Sequence, residues 1–179
     1  ESLIRDYGRP LSANAVLEHS KSVLWIFAAD DATEDARGEQ EMKRMTEHMK
    51  DTIKTGCLQE SPENDYDLCN PIRAFMAPYT KRFESLTEKE KKQLTIETLK
   101  KELLGYLDAV QWEYRSQDTS YDDFTYFRKY TSGVRIFLIV TMLSMKWLPQ
   151  KHIMDSIYAT KLNDACNDSL CYTNAAFSA

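Results

Sequence analysis

The apolar residues of this chain recur at the helical spacing of three or four positions over long stretches. In the clearest stretch they form one broad face of a single helix, made of Leu94, Ile96, Leu99, Leu103, Leu104, Leu107, Val110 and Trp112. Another stretch, Ile136 to Met145, is apolar almost throughout and predicts a buried helix. These patterns predict an all-α fold in which Trp112 belongs to the core.

Capping and turn residues predict where the helices begin and end. Ser85 with Glu88 three residues later forms a capping box for the long helix, which ends near Tyr114. Asp122-Asp123 stands where a cap is expected before the next helix. The remaining predictions are a helix from Ala13, capped by Ser12, to the acids at 30–35, a helix from Thr33 to Thr55, a loop from Cys57 to Pro71, a helix from Ile72 to Phe83 and a last helix after Pro149.

Composition agrees with a single helical domain spanning residues 1–179. Five Gly and five Pro, with 28% charged residues, favour helices over a sandwich or barrel. The net charge of -5 gives no basic surface for nucleic acid, and the longest apolar run is about half the length of a membrane span. The four cysteines match no zinc or redox spacing. We expect free thiols in a reducing cytoplasm, although Cys57 and Cys69 bracket a loop that a disulfide could close.

The first predicted helix ends in a cluster of carboxylates after the apolar sequence Trp25-Ile-Phe-Ala-Ala29. Residues four apart lie on one face of a helix, so Asp30 is aligned with Glu34, and Asp31 with Asp35. Like charges this close raise one another's pKa unless a cation neutralises them. Mg2+ is usually held by one or two carboxylates, with water and phosphate completing the octahedron. The pattern therefore predicts a Mg2+ site, with a solvated helix end as the alternative.

The same stretch resembles the signature of a known family. Trp25-x-Phe27-x-x-Asp30-Asp31-x-x-Glu34 is similar to the W-x-F-x-x-D-D-x-x-(D/E) motif of microbial-type class I terpene synthases. The resemblance implies that Asp30, Asp31 and Glu34 are ligands of Mg2+, which in turn holds the substrate diphosphate. Phe27 is the first candidate for the wall of the substrate pocket, because an aromatic face stabilises a carbocation.

A second resemblance lies in Arg128-Lys129-x-Thr131-Ser132-Gly133, just before the apolar helix. It is similar to the R-R-x-T-S-G sequence of the same family, in which a helix breaks at glycine and a freed backbone carbonyl faces the substrate. The resemblance implies a catalytic role for Gly133 and substrate binding by Arg128, Lys129 and Ser132. Lys129 replaces the family's second arginine, which keeps the positive charge but loses the two-point contact with diphosphate.

Two stretches of the last helix compete for the family's second metal motif, N-D-x-x-S-x-x-x-E. The first begins at Asn163-Asp164 and has the required dipeptide. However, Asn167 stands four residues on in place of serine, and Cys171 stands eight residues on in place of glutamate. This register is therefore rejected in favour of the second.

The second register begins at Asn174 and has Ser178 four residues later. Its distance along the chain from Gly133 also suits the family, so the resemblance assigns Asn174 and Ser178 as metal ligands. Ala175 replaces the aspartate of the motif, and the glutamate would fall beyond Ala179. We therefore expect this chain to be part of a longer domain, with helices absent at both ends.

Together these motifs predict an Mg2+-dependent class I terpene cyclase. The resemblance implies three Mg2+ ions in the active complex and a linear prenyl diphosphate as substrate, farnesyl diphosphate before geranylgeranyl diphosphate. Mg2+ acts as a Lewis acid on the diphosphate, and the carbocation cyclises in an apolar pocket; a homodimer is compatible with this function. Two alternatives stay open. One is a chain-elongating prenyl diphosphate synthase, against which the absence of a second D-D-x-x-D counts, and the other is a non-catalytic helical module.

Overall fold

The computed structural model is all-α, as the sequence predicts. It describes residues 13–55, 69–84, 87, 96–115, 120–144 and 151–178, and no β-strand occurs among them. The helices of this part of the chain are α1 (Ala13–Glu34), α2 (Glu39–Lys54), α3 (Cys69–Glu84), α4 (Ile96–Arg115), α5 (Tyr121–Thr131), α6 (Val134–Ser144), α7 (Lys151–Met154) and α8 (Ile157–Ser178). None of them is long and apolar enough to cross a membrane.

Helix α4 lies at the centre of the bundle and packs against α1, α2, α3, α5 and α6. Its buried face carries Tyr106, which the sequence pattern did not include, and four of the predicted apolar positions, Leu99, Leu103, Leu107 and Val110. The Trp25 ring of α1 lies 5.9 Å from the Tyr106 ring. Helix α1 also packs against α6, and α8 packs against α5 and α6. This arrangement brings the C-terminal end of α1 next to the connection between α5 and α6.

Aromatic side chains hold α5 against α4. The rings of Trp112 and Phe127 are stacked, with centroids 3.9 Å apart and an interplanar angle of 14°. Trp112 is half-buried between the two helices, which corrects its predicted place in the core. A Cβ atom at Gly105 would stand 2.7 Å from Cδ1 of Tyr130. Glycine at this position therefore allows the Tyr130 ring to lie directly on α4.

A turn separates α1 from α2, whereas the sequence pattern predicts helix from Thr33 onward. Gly38 precedes α2 with φ 153 and ψ 169, a backbone conformation that is essentially restricted to glycine. The Arg37 N–H donates to Glu41 Oε2 at 2.8 Å and so ties the turn to the beginning of α2. The prediction of helix is therefore wrong between residues 35 and 38. The polar residues of this stretch are typical of an exposed helix, but the backbone conformation of Gly38 cannot continue one.

Two boundaries before α4 also differ from the prediction. Helix α3 begins at Cys69, so the predicted loop is too long; Pro71 fits the first helical turn, where its missing N–H would have no intrahelical partner. Thr87 is outside any helix, so the helix predicted to begin at Ser85 does not do so. Ser85, Glu88 and Leu94 of the predicted long helix lie outside the described residues, and the described part of that helix begins at Ile96.

Serine residues cap the later helices. Ser120 precedes α5 and its Oγ accepts the backbone N–H of Asp123 at 3.1 Å, so the predicted cap at Asp122-Asp123 is wrong by two residues. The acids lie in the first turn, where they complement the helix dipole. The last predicted helix is divided into α7 and α8. Ser156 lies between them, and its Oγ accepts the N–H of Ala159 at 3.2 Å.

Candidate functional site

The predicted acidic cluster lies at the C-terminal end of α1. Trp25, Ile26 and Ala29 are buried, whereas the side chains of Asp30, Asp31, Glu34 and Asp35 are exposed. Partial desolvation raises the pKa of Asp30; Glu34 and Asp31 raise it further, while Arg128 lowers it. The predicted rise in pKa is therefore found at Asp30. A cation bound here would relieve this repulsion.

The helix break predicted at Gly133 is present between α5 and α6. Gly133 has φ 67, a left-handed conformation that costs an L-residue free energy. Its N–H donates to the Tyr130 carbonyl at 3.0 Å, and its carbonyl accepts the Phe137 N–H at 3.1 Å. A Cβ atom at this position would stand 3.1 Å from Cδ1 of Ile26 in α1. The break is therefore packed directly on the turn of α1 that precedes the acids.

The carbonyl of Gly133 belongs to the first turn of α6, so it is not the one that the break leaves without a helical partner. Among the backbone hydrogen bonds of the described residues around the break, none goes to the carbonyls of Thr131 or Ser132. A carbonyl oxygen has two lone pairs, so Gly133 keeps some capacity to accept. The break nevertheless leaves the two preceding carbonyls as the better acceptors for a positive charge.

Arg128 connects the break to the central helix. Its Nη1 lies 3.6 Å from Glu113 Oε1, and the Thr131 hydroxyl donates to the same carboxylate oxygen at 3.1 Å. The Nε atom of Arg128 is buried and has no hydrogen-bond partner among the described residues. A buried donor without an acceptor is unusual in folded proteins. Arg128 also lowers the pKa of Asp30. Charged side chains of the two predicted motifs are therefore close enough to interact.

Glu113 is part of this site, although the sequence pattern did not assign it a role. Burial raises its pKa, while Arg128 and the hydrogen bond from Thr131 lower it, and Asp30 raises it. The only signal available in the sequence was its place after Trp112, where the resembling family carries a Trp-Glu pair. Nearby on α4, Tyr106 is buried, and its hydroxyl donates to the carbonyl of Ile26 at 3.3 Å.

Lys129 and Ser132 are engaged by α8. Lys129 Nζ lies 3.8 Å from Asp164 Oδ2, and the Ser132 hydroxyl donates to Asn167 Oδ1 at 2.5 Å. The stretch beginning at Asn163, rejected as a metal motif, therefore contacts the helix break. The side chains of Asn174 and Ser178 lie outside the described residues, and their assignment as ligands stays a prediction.

Phe27, the predicted wall of the substrate pocket, lies on an exposed side of α1. Its side chain is 60% exposed, on the side of α1 that also exposes Leu24. A cavity of about 480 Å3 lies between α2, α4 and α5 and is lined in part by Lys54, Lys101 and Tyr130. None of the predicted site residues whose side chains the structure describes lines that cavity. The role of Phe27 as a pocket wall stays a prediction.

The donor set at the end of α1 suits Mg2+ better than a metal that needs a closed protein cage. Within the described ranges, no three His, Cys, Asp or Glu side chains are grouped to hold a metal. Asp30 is a hard oxygen donor with unfavourable negative charge around it. Mg2+ commonly takes only one or two carboxylates and completes its shell with water and phosphate oxygens. The residues present therefore fit an ion shared with a diphosphate.

The raised pKa values of two carboxyl groups predict how stability depends on pH. Glu113 and Glu102 have folded-state pKa values above the ordinary 4.5, chiefly because of burial. The folded state then binds protons more tightly than the unfolded state, so the metal-free protein should become more stable as pH falls from 7 towards about 5. Melting temperatures across this range check the sign. Glu113→Gln and Glu102→Gln should each flatten the dependence, and Glu97→Gln, at an exposed position, is the control.

Protein-family comparison agrees with this geometry. Residues 21–179 match the family described as Terpene synthase family 2, C-terminal metal binding. No curated protein and no solved structure gives a significant match. The matched residues contain the acidic end of α1, the break at Gly133 and the whole of α8. Because the match covers most of its length, the chain belongs to terpene synthase family 2, and it is a class I terpene synthase by family and by fold.

Proposed function

We propose that this protein is an Mg2+-dependent terpene cyclase that ionises a linear prenyl diphosphate and cyclises the resulting carbocation. The observation that carries the proposal is the electrostatic interaction between Asp30 of the acidic motif and Arg128 of the motif at the helix break. Asp30, whose pKa is raised, lies close enough to Arg128 for the guanidinium to lower that pKa. Opposite charges thus converge where a cation and an anionic diphosphate would share one site. Farnesyl diphosphate is the favoured substrate and geranylgeranyl diphosphate the second choice.

In this proposal each charged group of the site has a distinct task. Asp30, Asp31 and Glu34 would hold Mg2+ together with Asn174 and Ser178 of α8, and three ions are expected in the active complex. Bound Mg2+ would act as a Lewis acid and stabilise the charge that develops on the diphosphate. The buried Nε of Arg128, which has no partner in the described residues, is available to a diphosphate oxygen. Lys129 adds a second positive charge.

Breakage of the carbon-oxygen bond leaves its electron pair on the diphosphate and a positive charge on the prenyl chain. The carbonyls of Thr131 and Ser132 present partial negative charge at the break before α6 and favour that cation locally. Phe27 is proposed as an aromatic wall. Exclusion of water by the apolar chain and pocket would delay capture of the cation until a proton is lost.

The direct test is incubation of the protein with Mg2+ and farnesyl or geranylgeranyl diphosphate, with a chelator as the control. A volatile terpene hydrocarbon or alcohol that requires Mg2+ supports the cyclase. A longer prenyl diphosphate would instead identify a chain-elongating synthase. If neither product forms, the protein is a non-catalytic helical module. We further propose that residues 1–179 belong to one domain, that the protein is a homodimer and that it is cytoplasmic. Size measurement and cell fractionation test the last two proposals.

The proposal predicts that replacement of Lys129 weakens the binding of diphosphate. Lys129→Ala should weaken inorganic pyrophosphate binding about tenfold, since a hydrogen bond to a charged group contributes roughly 1.5–3 kcal/mol. Arg128→Ala should have at least as large an effect. Isothermal titration with pyrophosphate and Mg2+ measures both. Lys54→Ala is a matched control, because Lys54 is also ion-paired, with Asp51 at 3.6 Å, but lies on α2. Unchanged affinity in both site variants would remove these residues from the diphosphate site.

A further inference from the structure

Helix α8 turns a polar face towards the bundle and leaves its large apolar side chains outside. Asn167 and Cys171 are 2% and 6% exposed, whereas Leu162 and Leu170 are 65% and 55% exposed. Burial of apolar surface alone would favour a rotation that turns the leucines inward. The rotation of α8 about its axis is therefore set by the contacts of its polar face.

Asn167 makes the central contact of that face. Its Oδ1 accepts the Ser132 hydroxyl at 2.5 Å, and its Nδ2 donates to Cys171 Sγ at 3.6 Å. The Cys171 thiol in turn donates to the Arg128 carbonyl at 3.5 Å. Both ends of this buried amide thus have partners in one network with the α5–α6 break. A helix rotated to bury the leucines would carry the amide away from both partners, and the network of hydrogen bonds would be lost.

The same rotation decides where the predicted metal ligands stand. Positions 174 and 178 follow 167 and 171 by seven residues each, and seven residues are nearly two helical turns, with a drift of about 20°. All four positions consequently lie in one row along α8. A contact that fixes Asn167 against Ser132 also fixes the direction of the row in which Asn174 and Ser178 stand.

We propose that Asn167 is a positioning residue that sets the rotation of α8 and so orients its metal-binding row towards the acidic end of α1. This inference rests on the proposed function, because it takes Asn174 and Ser178 as ligands. Asn167 itself touches neither metal nor substrate in this account. It acts through Ser132 and through the helix to which it belongs.

The test compares two properties of Asn167→Leu, which has nearly the same volume but no amide. The first property is the melting temperature without ligand. The second is the Mg2+ concentration that gives half of the rise in melting temperature caused by Mg2+ with inorganic pyrophosphate. We expect this midpoint to rise about tenfold, since supporting contacts around metal ligands commonly contribute 10–100-fold in affinity. A residue that only stabilises the fold would lower the melting temperature and leave the midpoint unchanged.

Two further variants keep the test decisive. Asn163→Leu makes the same substitution one turn earlier, at a half-buried position, and should leave the midpoint unchanged. Asn167→Ala is the milder variant if Asn167→Leu does not fold, because the Ser132 hydroxyl can still donate to the Lys129 carbonyl, 3.4 Å away. It should raise the midpoint in the same way.

Three other outcomes would each contradict the inference, and the last of them would also contradict the proposed function. An unchanged midpoint in Asn167→Ala, with a wild-type protein that responds to Mg2+ and pyrophosphate, overturns the inference and leaves the proposed function standing. A larger effect of Asn163→Leu would show that the metal motif begins at Asn163, which overturns the inference as well. A wild-type protein that shows no response contradicts the proposed function itself, and the inference with it.

Discussion

Asp30→Asn is expected to lower Mg2+-dependent turnover by at least about a hundredfold. Metal ions contribute several kcal/mol to the stabilisation of transition-state charge, and about 3 kcal/mol corresponds to this factor. The substitution removes one negative charge from the end of α1 but preserves the shape of the side chain. Because Glu34 and Asp31 raise the pKa of Asp30, the variant should also be more stable than wild type without metal. Relief of one like-charge pair amounts to roughly 0.2–0.5 kcal/mol, or about 0.4–2 °C in melting temperature.

Steady-state kinetics over a range of Mg2+ concentrations and melting curves with a chelator measure the two effects. Asp122→Asn is the matched control, since Asp122 is an exposed acid in the first turn of α5. It belongs to an Asp-Asp pair that the sequence analysis did not assign to metal. Full Mg2+-dependent activity in Asp30→Asn, or a loss as large in Asp122→Asn, would refute the assignment of the metal site.

Gly133→Ala is expected to destabilise the protein by about 1–2 kcal/mol and to abolish most of its activity. The left-handed backbone at Gly133 costs an L-residue this amount, which lowers the melting temperature by roughly 2–8 °C. The new Cβ atom would also press on Ile26 Cδ1 at 3.1 Å. Any movement at this contact displaces the break from the turn of α1 that precedes Asp30, and so separates the two motifs.

Two companion variants separate the sources of that loss. Ile26→Val removes the Cδ1 atom, so Gly133→Ala with Ile26→Val should recover the part of the loss that comes from contact. Gly38→Ala introduces a comparable backbone strain where no atom lies within 4 Å of the new Cβ, and it should lower stability without impairing turnover. Wild-type activity and melting temperature in Gly133→Ala would show that the break tolerates a side chain.

The parts of the fold that depend on local signals could be predicted from the sequence. The end of α1 follows from an apolar run that stops at consecutive acids. The break at Gly133 was implied by the resemblance to the family's R-R-x-T-S-G sequence. The turn at Gly38 was missed, because a polar helix and a polar turn have similar compositions. In that case a single residue with an unusual backbone conformation decides between them.

The supporting residues of the site could not be predicted, because their roles depend on partners distant in sequence. Glu113 accepts a hydrogen bond from Thr131, 18 residues later, and Asn167 is bonded to Ser132, 35 residues earlier. Neither spacing has a helical or strand period. The sequence therefore predicted the charged groups of the motifs, whereas the side chains that orient them emerged only from the packing of α4 and α8 on the break.

The polar attachment of α8 has a consequence for the motions of the protein. A helix whose leucines face outward gains little from apolar burial, so its free energy of local opening should be well below that of α1 and α4. Its amide hydrogens would then exchange with solvent through partial detachment of α8, while the central helices stay closed. The bundle would in this sense have a rigid half that carries the acids of α1 and a more loosely held half that carries Asn174 and Ser178, the proposed second set of ligands.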